Sequence, residues 1–269
     1  MTYPFIISVP HGGREIPGEV ADRLLLDARE VAFYSDPVTE RIFDFHSKAA
    51  GNIEALVSRM IVDVNRPPYH LAPKYPDGAV KSVTSYGSPV YREGRFPGID
   101  LVHRLMVKHF FPYHEKVDRL TDECRAEFAF DCHSMLPHAP PGITGSGGPR
   151  PLICLGNNGD MNGDPRPGIL STCPGAVIRD LAGHFGKEFG EEGEILINNP
   201  YSGGFVIISH HWHREIPWVQ IEVNRGMYEA GALGPGNPGI VDPHAARELG
   251  KRIWDVLTEF WDGRDQGRP

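Results

Sequence analysis

The chain has 269 residues, with 27 Lys and Arg against 35 Asp and Glu and a formal net charge of −8. The acid excess argues against nucleic acid as the main partner, because phosphate binding calls for a basic stripe. No apolar run approaches the roughly 20 residues that cross a bilayer, and residues 1–13 show neither a basic start nor a long apolar stretch, so a cytoplasmic enzyme-sized globule is expected. The four cysteines form no CxxC pair, which fits reduced and mostly buried thiols.

Taken in chain order, Phe5–Val9 reads as the first strand. Asp36-Pro37 follows as a helix start, with Asp at the cap and Pro at the first helical position. Met60–Val64 reads as a second strand. The Gly- and Pro-rich stretch 67–98 reads as a surface loop, as do 137–150 and 156–169. Leu101, Leu105, Val117 and Leu120 frame a long helix near 99–122, and Glu127–Asp131 and Leu152–Leu155 read as strands. Cys173-Pro174 opens a helix whose stripe is Ile178, Leu181, Phe185 and Phe189. Ile195–Ile197, Phe205–Ile208 and Trp218–Val223 complete the strands, and Asp242-Pro243 opens a last helix striped by Leu249, Ile253, Val256 and Phe260. Strands alternating with helices predict an α/β fold, one three-layer domain over 1–269 with a mixed, mainly parallel sheet. Ligands of such sheets gather at the carboxyl ends of strands.

Candidate chemistry lies at those strand ends. His11-Gly12-Gly13-Arg14-Glu15 follows the first strand, and its imidazole and carboxylate suit a borderline metal such as zinc; a turn with a hydrogen-bonded His is the plain alternative. In Asp131-Cys132-His133-Ser134 the Asp could accept the second ring N–H of a metal-bound His133; a strand-end His satisfied by the Asp is the plain alternative. Ser134 as a nucleophile with His133 as base is disfavoured, since adjacent strand side chains point apart. Glu222 follows Ile221 in an apolar strand, where a carboxylate needs a partner or a task such as general base; pairing with Arg225 is the other reading. Arg59, Asn65 and Arg66 bracket Met60–Val64 and could clamp an acidic substrate, because the Arg fork matches a carboxylate. His210, His211 and His213 cluster, but on a strand at most two share a face.

The stretches SVPHGGREIP (8–17), SDPVTERIFDF (35–45), VSRMIVDVNRPP (57–68), YHEKVDRL (113–120), FDCHSM (130–135), ICLGNNGD (153–160), NNPYSGGFVIISHH (198–211) and QIEVNRGMY (220–228) together resemble the N-formylglutamate amidohydrolase family, in order and over most of the chain. The resemblance implies a fold similar to zinc carboxypeptidases and a metal-dependent hydrolase that releases formate from N-formyl-L-glutamate, a small acidic N-acyl amino acid, in histidine degradation. It further implies a zinc ion held by His11, Glu15 and His133, with Asp36 as the substitute for Glu15. Glu222 would be the base and Arg59 would face the oxyanion. Asn65, Arg66 and Arg225 would hold the substrate carboxylates, with backbone N–H groups of the Tyr201-Ser202-Gly203-Gly204 turn. A different acyl group or amino acid is the nearest alternative, and a catalytically silent ligand-binding relative is another.

Overall fold

Phe5–Val9 is the apolar heart of β1 (Tyr3–Val9). With β2 (Ala49–Glu54), β3 (Phe128–Met135), β4 (Ile153–Gly156), β5 (Ile195–Ile197) and β6 (Trp218–Asn224) it forms a six-stranded sheet ordered β2-β1-β3-β6-β4-β5. Neighbours run parallel throughout except β4 against β6. The computed structural model describes residues 2–140, 148–231 and 233–265; part of the predicted 137–150 loop lies outside them.

Helices cover both faces. Phe5, Ile7, Phe130, Ile221 and Val223 meet the helices Gly175–Phe189 and Pro243–Asp265, whose predicted stripes are all buried. Each such side chain contributes roughly 1.5–3 kcal/mol on leaving water. Pro243 opens its helix, and the Asp242 carboxylate accepts from the backbone N–H of His244 (2.8 Å) and Ala245 (3.2 Å). Asp242→Ala is expected to lower stability by about 1 kcal/mol, read as a shift in denaturant midpoint with unchanged slope.

On the opposite face Ile6, Ala129 and Trp218 pack under the other helical layer. Towards the carboxyl ends this face turns polar, with Ser8, Asp131, His133, Gln220 and Glu222 all buried. Strand side chains alternate with period 2. The register that sets Asp131 beside Gln220 and His133 beside Glu222 therefore brings these groups to one patch. The apolar half of the face anchors the layer, and the polar half remains for chemistry.

Several elements differ from expectation. Met60–Val64 is buried but turned, with Ile61 and Val62 N–H both donating to the Ser58 carbonyl. The strand position beside β1 belongs to Ala49–Glu54, whose Gly51 and Asn52 give no β signal; Gly51 leaves room for Ile6 and Leu120. Phe205–Ile208 is the first turn of a helix, Phe205–Arg214, with Val206, Ile207 and His210 on its buried side. A run of four apolar residues does not by itself separate the two periodicities. The predicted long helix spans Ile99–Leu105 and Phe111–Glu123 with a π-helical turn, Met106–Phe110, between them. Pro112 explains that turn, because it lacks an N–H and its ring crowds the carbonyl four residues back. The 67–98 stretch is no mere surface loop, since Ala79, Val80, Lys81 and Val90 are buried.

Candidate metal centre and active site

The chain leaves β1 at Val9 and turns at His11. Gly13 lets it pass against residues 55 and 56, where a Cβ would stand 2.3 Å from the Leu56 carbonyl oxygen. From there Glu15 N–H donates to the Leu56 carbonyl and Ser58 N–H to the Glu15 carbonyl. This backbone pairing carries the exposed Glu15 away from His11, to a separate surface cavity. The expectation that Glu15 joins His11 and His133 is corrected here.

Asp36 takes that place. The helix after Asp36-Pro37 begins only at Thr39, behind Val38 in the left-handed region (φ 57°), and no side chain caps it. Asp36 N–H donates to the His11 carbonyl, while its carbonyl accepts from Thr39. Its carboxylate is thereby free to turn inward, and Oδ2 lies 3.6 Å from His11 Nδ1 and 3.3 Å from His133 Nδ1. The two Nδ1 atoms are 3.1 Å apart. His11, Asp36 and His133 are all buried, and one ligand atom from each falls within 4.8 Å of the others.

Outer carboxylates decide how the two imidazoles face. His11 Nε2 donates to Asp63 Oδ1 (2.7 Å) and His133 Nε2 to Asp131 Oδ2 (2.9 Å). With both Nε2 atoms protonated, the Nδ1 lone pairs converge beside Asp36, the arrangement a cation needs. Asp131 performs the orienting task expected of it, and it is steadied by Ser8 Oγ (2.6 Å) and Asn65 Nδ2 (3.2 Å). Burial opposes the charge of Asp63, but neighbouring positive charge, Lys81 foremost, holds its carboxyl well below the usual range. The negative charge of Asp36, Asp63 and Asp131 exceeds the positive charge of Arg59 and Lys81, the Lys and Arg side chains within ion-pair distance of them among the described residues. Buried charge needs compensation, so the donor set and its charge both fit a divalent cation.

Glu222 stands beside His133 across the β3–β6 register, and Gln220 Nε2 donates to its Oε1 (2.8 Å). Burial pushes its carboxyl up to about 7 although His133 pulls the other way. A cavity of about 270 Å³ opens over the triad and Glu222, with Arg59, Asn65, Arg66, Tyr201, Gly203, Gly204 and Arg225 in its wall. Here the candidate residues other than Glu15 meet. Asn65, however, is engaged at both ends of its amide, since its Oδ1 also accepts from Val206 N–H (2.8 Å). Gly204 is what allows this, because a Cβ there would lie 2.3 Å from Asn65 Oδ1. His133 Nε2 is committed to Asp131 and its Nδ1 faces Asp36 and His11, which leaves no base for Ser134. His210 lies away from the triad, bonded to Asp118 and His114.

Residues 3–229 match the sequence pattern of the N-formylglutamate amidohydrolase family. The chain belongs to that family. Within it, the chain is 31% identical over 240 residues to the N-formylglutamate deformylase of Pseudomonas aeruginosa, covering 84% of this chain and 82% of the relative. It is 26% identical over 236 residues to the N-formylglutamate deformylase of Pseudomonas putida, covering 84% and 81%. In fold it is similar to the crystal structure of N-formylglutamate amidohydrolase from Ralstonia eutropha JMP134, with a TM-score of 0.72, 18% identity, and coverage of 97% of this chain and 95% of that one. An Agrobacterium tumefaciens protein gives a TM-score of 0.69 at 15% identity, covering 98% and 92%.

Asp63, Lys81 and Arg150 are the site groups that motif reading passed over. An Asp inside the apolar run Met60–Val64 was the available signal for Asp63, since an unpartnered carboxylate is rarely buried. Lys81 and Arg150 sit in Gly- and Pro-rich stretches and carry no such signal.

Proposed function

We propose that this family member is a metal-dependent amide hydrolase that converts N-formyl-L-glutamate to L-glutamate and formate in the cytoplasm, as the closing step of histidine degradation. The observation that carries the reading is the convergence of the His11 and His133 Nδ1 atoms with Asp36, next to a buried Glu222 of raised pKa. A zinc ion held by His11, Asp36 and His133 would supply Lewis acidity towards the formyl carbonyl and a water of lowered pKa.

Glu222 is the group that moves protons. A carboxyl poised near neutrality takes a proton from water and returns it to the leaving amine with little mismatch in either direction. Gln220 holds one of its oxygens, so the other faces the cavity. Arg59, tied to Asp63 by Nη2 (3.1 Å) and 3.7 Å from Asp36, presents fixed positive charge where carbonyl oxygen becomes negative. Asn65 acts as a positioning residue, joining Asp131 to the first turn of the helix Phe205–Arg214. Tyr201, Gly203 and Gly204 form the wall against which the formyl amide lies.

Dialysis against a strong chelator is expected to abolish turnover, and zinc is expected to restore it; turnover indifferent to chelation overturns the metal reading. A panel of N-formyl-, N-acetyl- and N-succinyl-L-glutamate tests the acyl group, with the formyl compound expected to lead.

A further inference from the structure

Five cationic side chains line the cavity: Arg59, Arg66, Lys81, Arg150 and Arg225. Four of them already answer to a carboxylate. Arg225 gives Nε and Nη2 to Glu229 (2.5 and 3.1 Å). Arg66 gives Nε to the Asp77 carbonyl (3.1 Å) and Nη2 to its carboxylate (3.0 Å). Lys81 bonds Asp63 (2.9 Å) and Asp77, and Arg59 bonds Asp63. Arg150 has no carboxylate within ion-pair distance among the described residues.

Its guanidinium is nevertheless held in place. The backbone N–H of Arg150 donates to the Pro137 carbonyl (2.8 Å), the guanidinium carbon lies 5.1 Å from the centre of the Tyr201 ring, and Nη1 points at the Leu136 carbonyl (3.4 Å). Nε is buried without a hydrogen-bond partner. The Nε–Nη2 edge, which Arg66 and Arg225 use on Asp77 and Glu229, is therefore open in Arg150. That edge accepts a carboxylate through two parallel hydrogen bonds. A buried donor without an acceptor is unfavourable, and a ligand carboxylate entering this cavity removes the deficit.

We propose that Arg150 binds the side-chain carboxylate of the N-acyl amino acid and selects for it, an assignment that rests on the hydrolase reading above. Position separates the two carboxylates of such a substrate. The α-carboxylate is adjacent to the scissile nitrogen, so it stays close to the triad, whereas the side-chain carboxylate lies at the far end of the substrate. Arg150 makes no ion pair with the triad, as befits the group that meets the far end of the substrate. The assignment also relieves Arg66 and Arg225 of a task for which their donors are already engaged.

The test uses metal-loaded Arg150→Met and Arg150→Lys, compared with the unaltered chain in metal content and thermal midpoint to establish folding. Steady-state rates are measured on N-formyl-L-glutamate and N-formyl-L-glutamine, and calorimetry follows binding of L-glutamate and L-glutamine. Arg150→Met is expected to lower kcat/KM on the glutamate compound by about 10²-fold, through KM, the scale of a lost charge-assisted pair. The glutamine compound should change by less than about threefold. Lys keeps the charge without the fork and should recover part of the loss. Equal losses on both compounds, or an unchanged KM on the acidic one, overturn the assignment. If the unaltered chain does not turn over N-formyl-L-glutamate, the hydrolase reading falls, and calorimetry still decides Arg150. Preference for L-glutamate that vanishes in Arg150→Met upholds it, and absence of any preference rejects it.

Discussion

Glu222→Gln is expected to cut kcat by about 10²–10⁴-fold, the span of a lost general base, while bound metal stays stoichiometric. The substitution keeps volume and the contact with Gln220, so neither packing nor metal retention should move. The pH profile adds a second sign. Burial raises the Glu222 carboxyl to about 7, and a base works in its ionised form, so activity is present above that pKa and falls as pH drops through it. A cation at the triad pulls the same pKa downward, which sets the acid limb of kcat/KM at or below pH 7. Glu222→Gln should flatten that limb in whatever activity remains. Near-normal turnover in this variant removes Glu222 from proton transfer.

Asp36→Asn is expected to cost more metal affinity than the roughly 10–100-fold typical of losing an outer partner, because it removes one of three protein donors. Glu15→Gln serves as the matched comparison. Glu15 pairs its backbone with residues 56 and 58 and faces another cavity, so its substitution should leave bound metal and kcat unchanged. Metal analysis after gel filtration reads both variants. The reverse result, metal lost with Glu15 and kept with Asp36, would return the carboxylate role to the early motif.

The contrast between these two residues shows where the sequence spoke and where it did not. His11 and His133 were legible because each follows a run read as a covered strand, and Glu222 because it lies near the end of one; strand ends are where α/β sites form. The orienting role of Asp131 was legible from its spacing to His133. Asp36 entered only as the substitute for Glu15, since Asp36-Pro37 carries a strong helix-start signal. That signal was overridden by Val38 in a left-handed conformation, which delays the helix and frees the carboxylate. Spacing near His11 favoured Glu15, but the pairing of residues 15 and 58 lies far apart in sequence and leaves no local mark. Similar reasons hid Ala49–Glu54, an edge strand half open to solvent and weak in β formers. Phe205–Ile208 reads as a strand because its apolar run is short and its helical continuation, residues 209–214, is mostly polar, with three histidines. The partners of Arg66 and Arg225, Asp77 and Glu229, lie 11 and 4 residues further along the chain. Only the structure shows that they occupy the fork.

β6 lies between β3 and β4, yet it is the last of the six strands to be synthesised. A growing chain thus makes both banks of the sheet before the strand that joins them exists. Until Trp218–Asn224 has left the ribosome, β3 and β4 each expose an unpaired edge, the kind of surface that recruits chaperones or invites aggregation. The same strand delivers Glu222. Closure of the sheet and arrival of the Glu222 carboxylate are therefore one event in biogenesis, and a nascent chain stalled before residue 218 carries His11, Asp36 and His133 without Glu222.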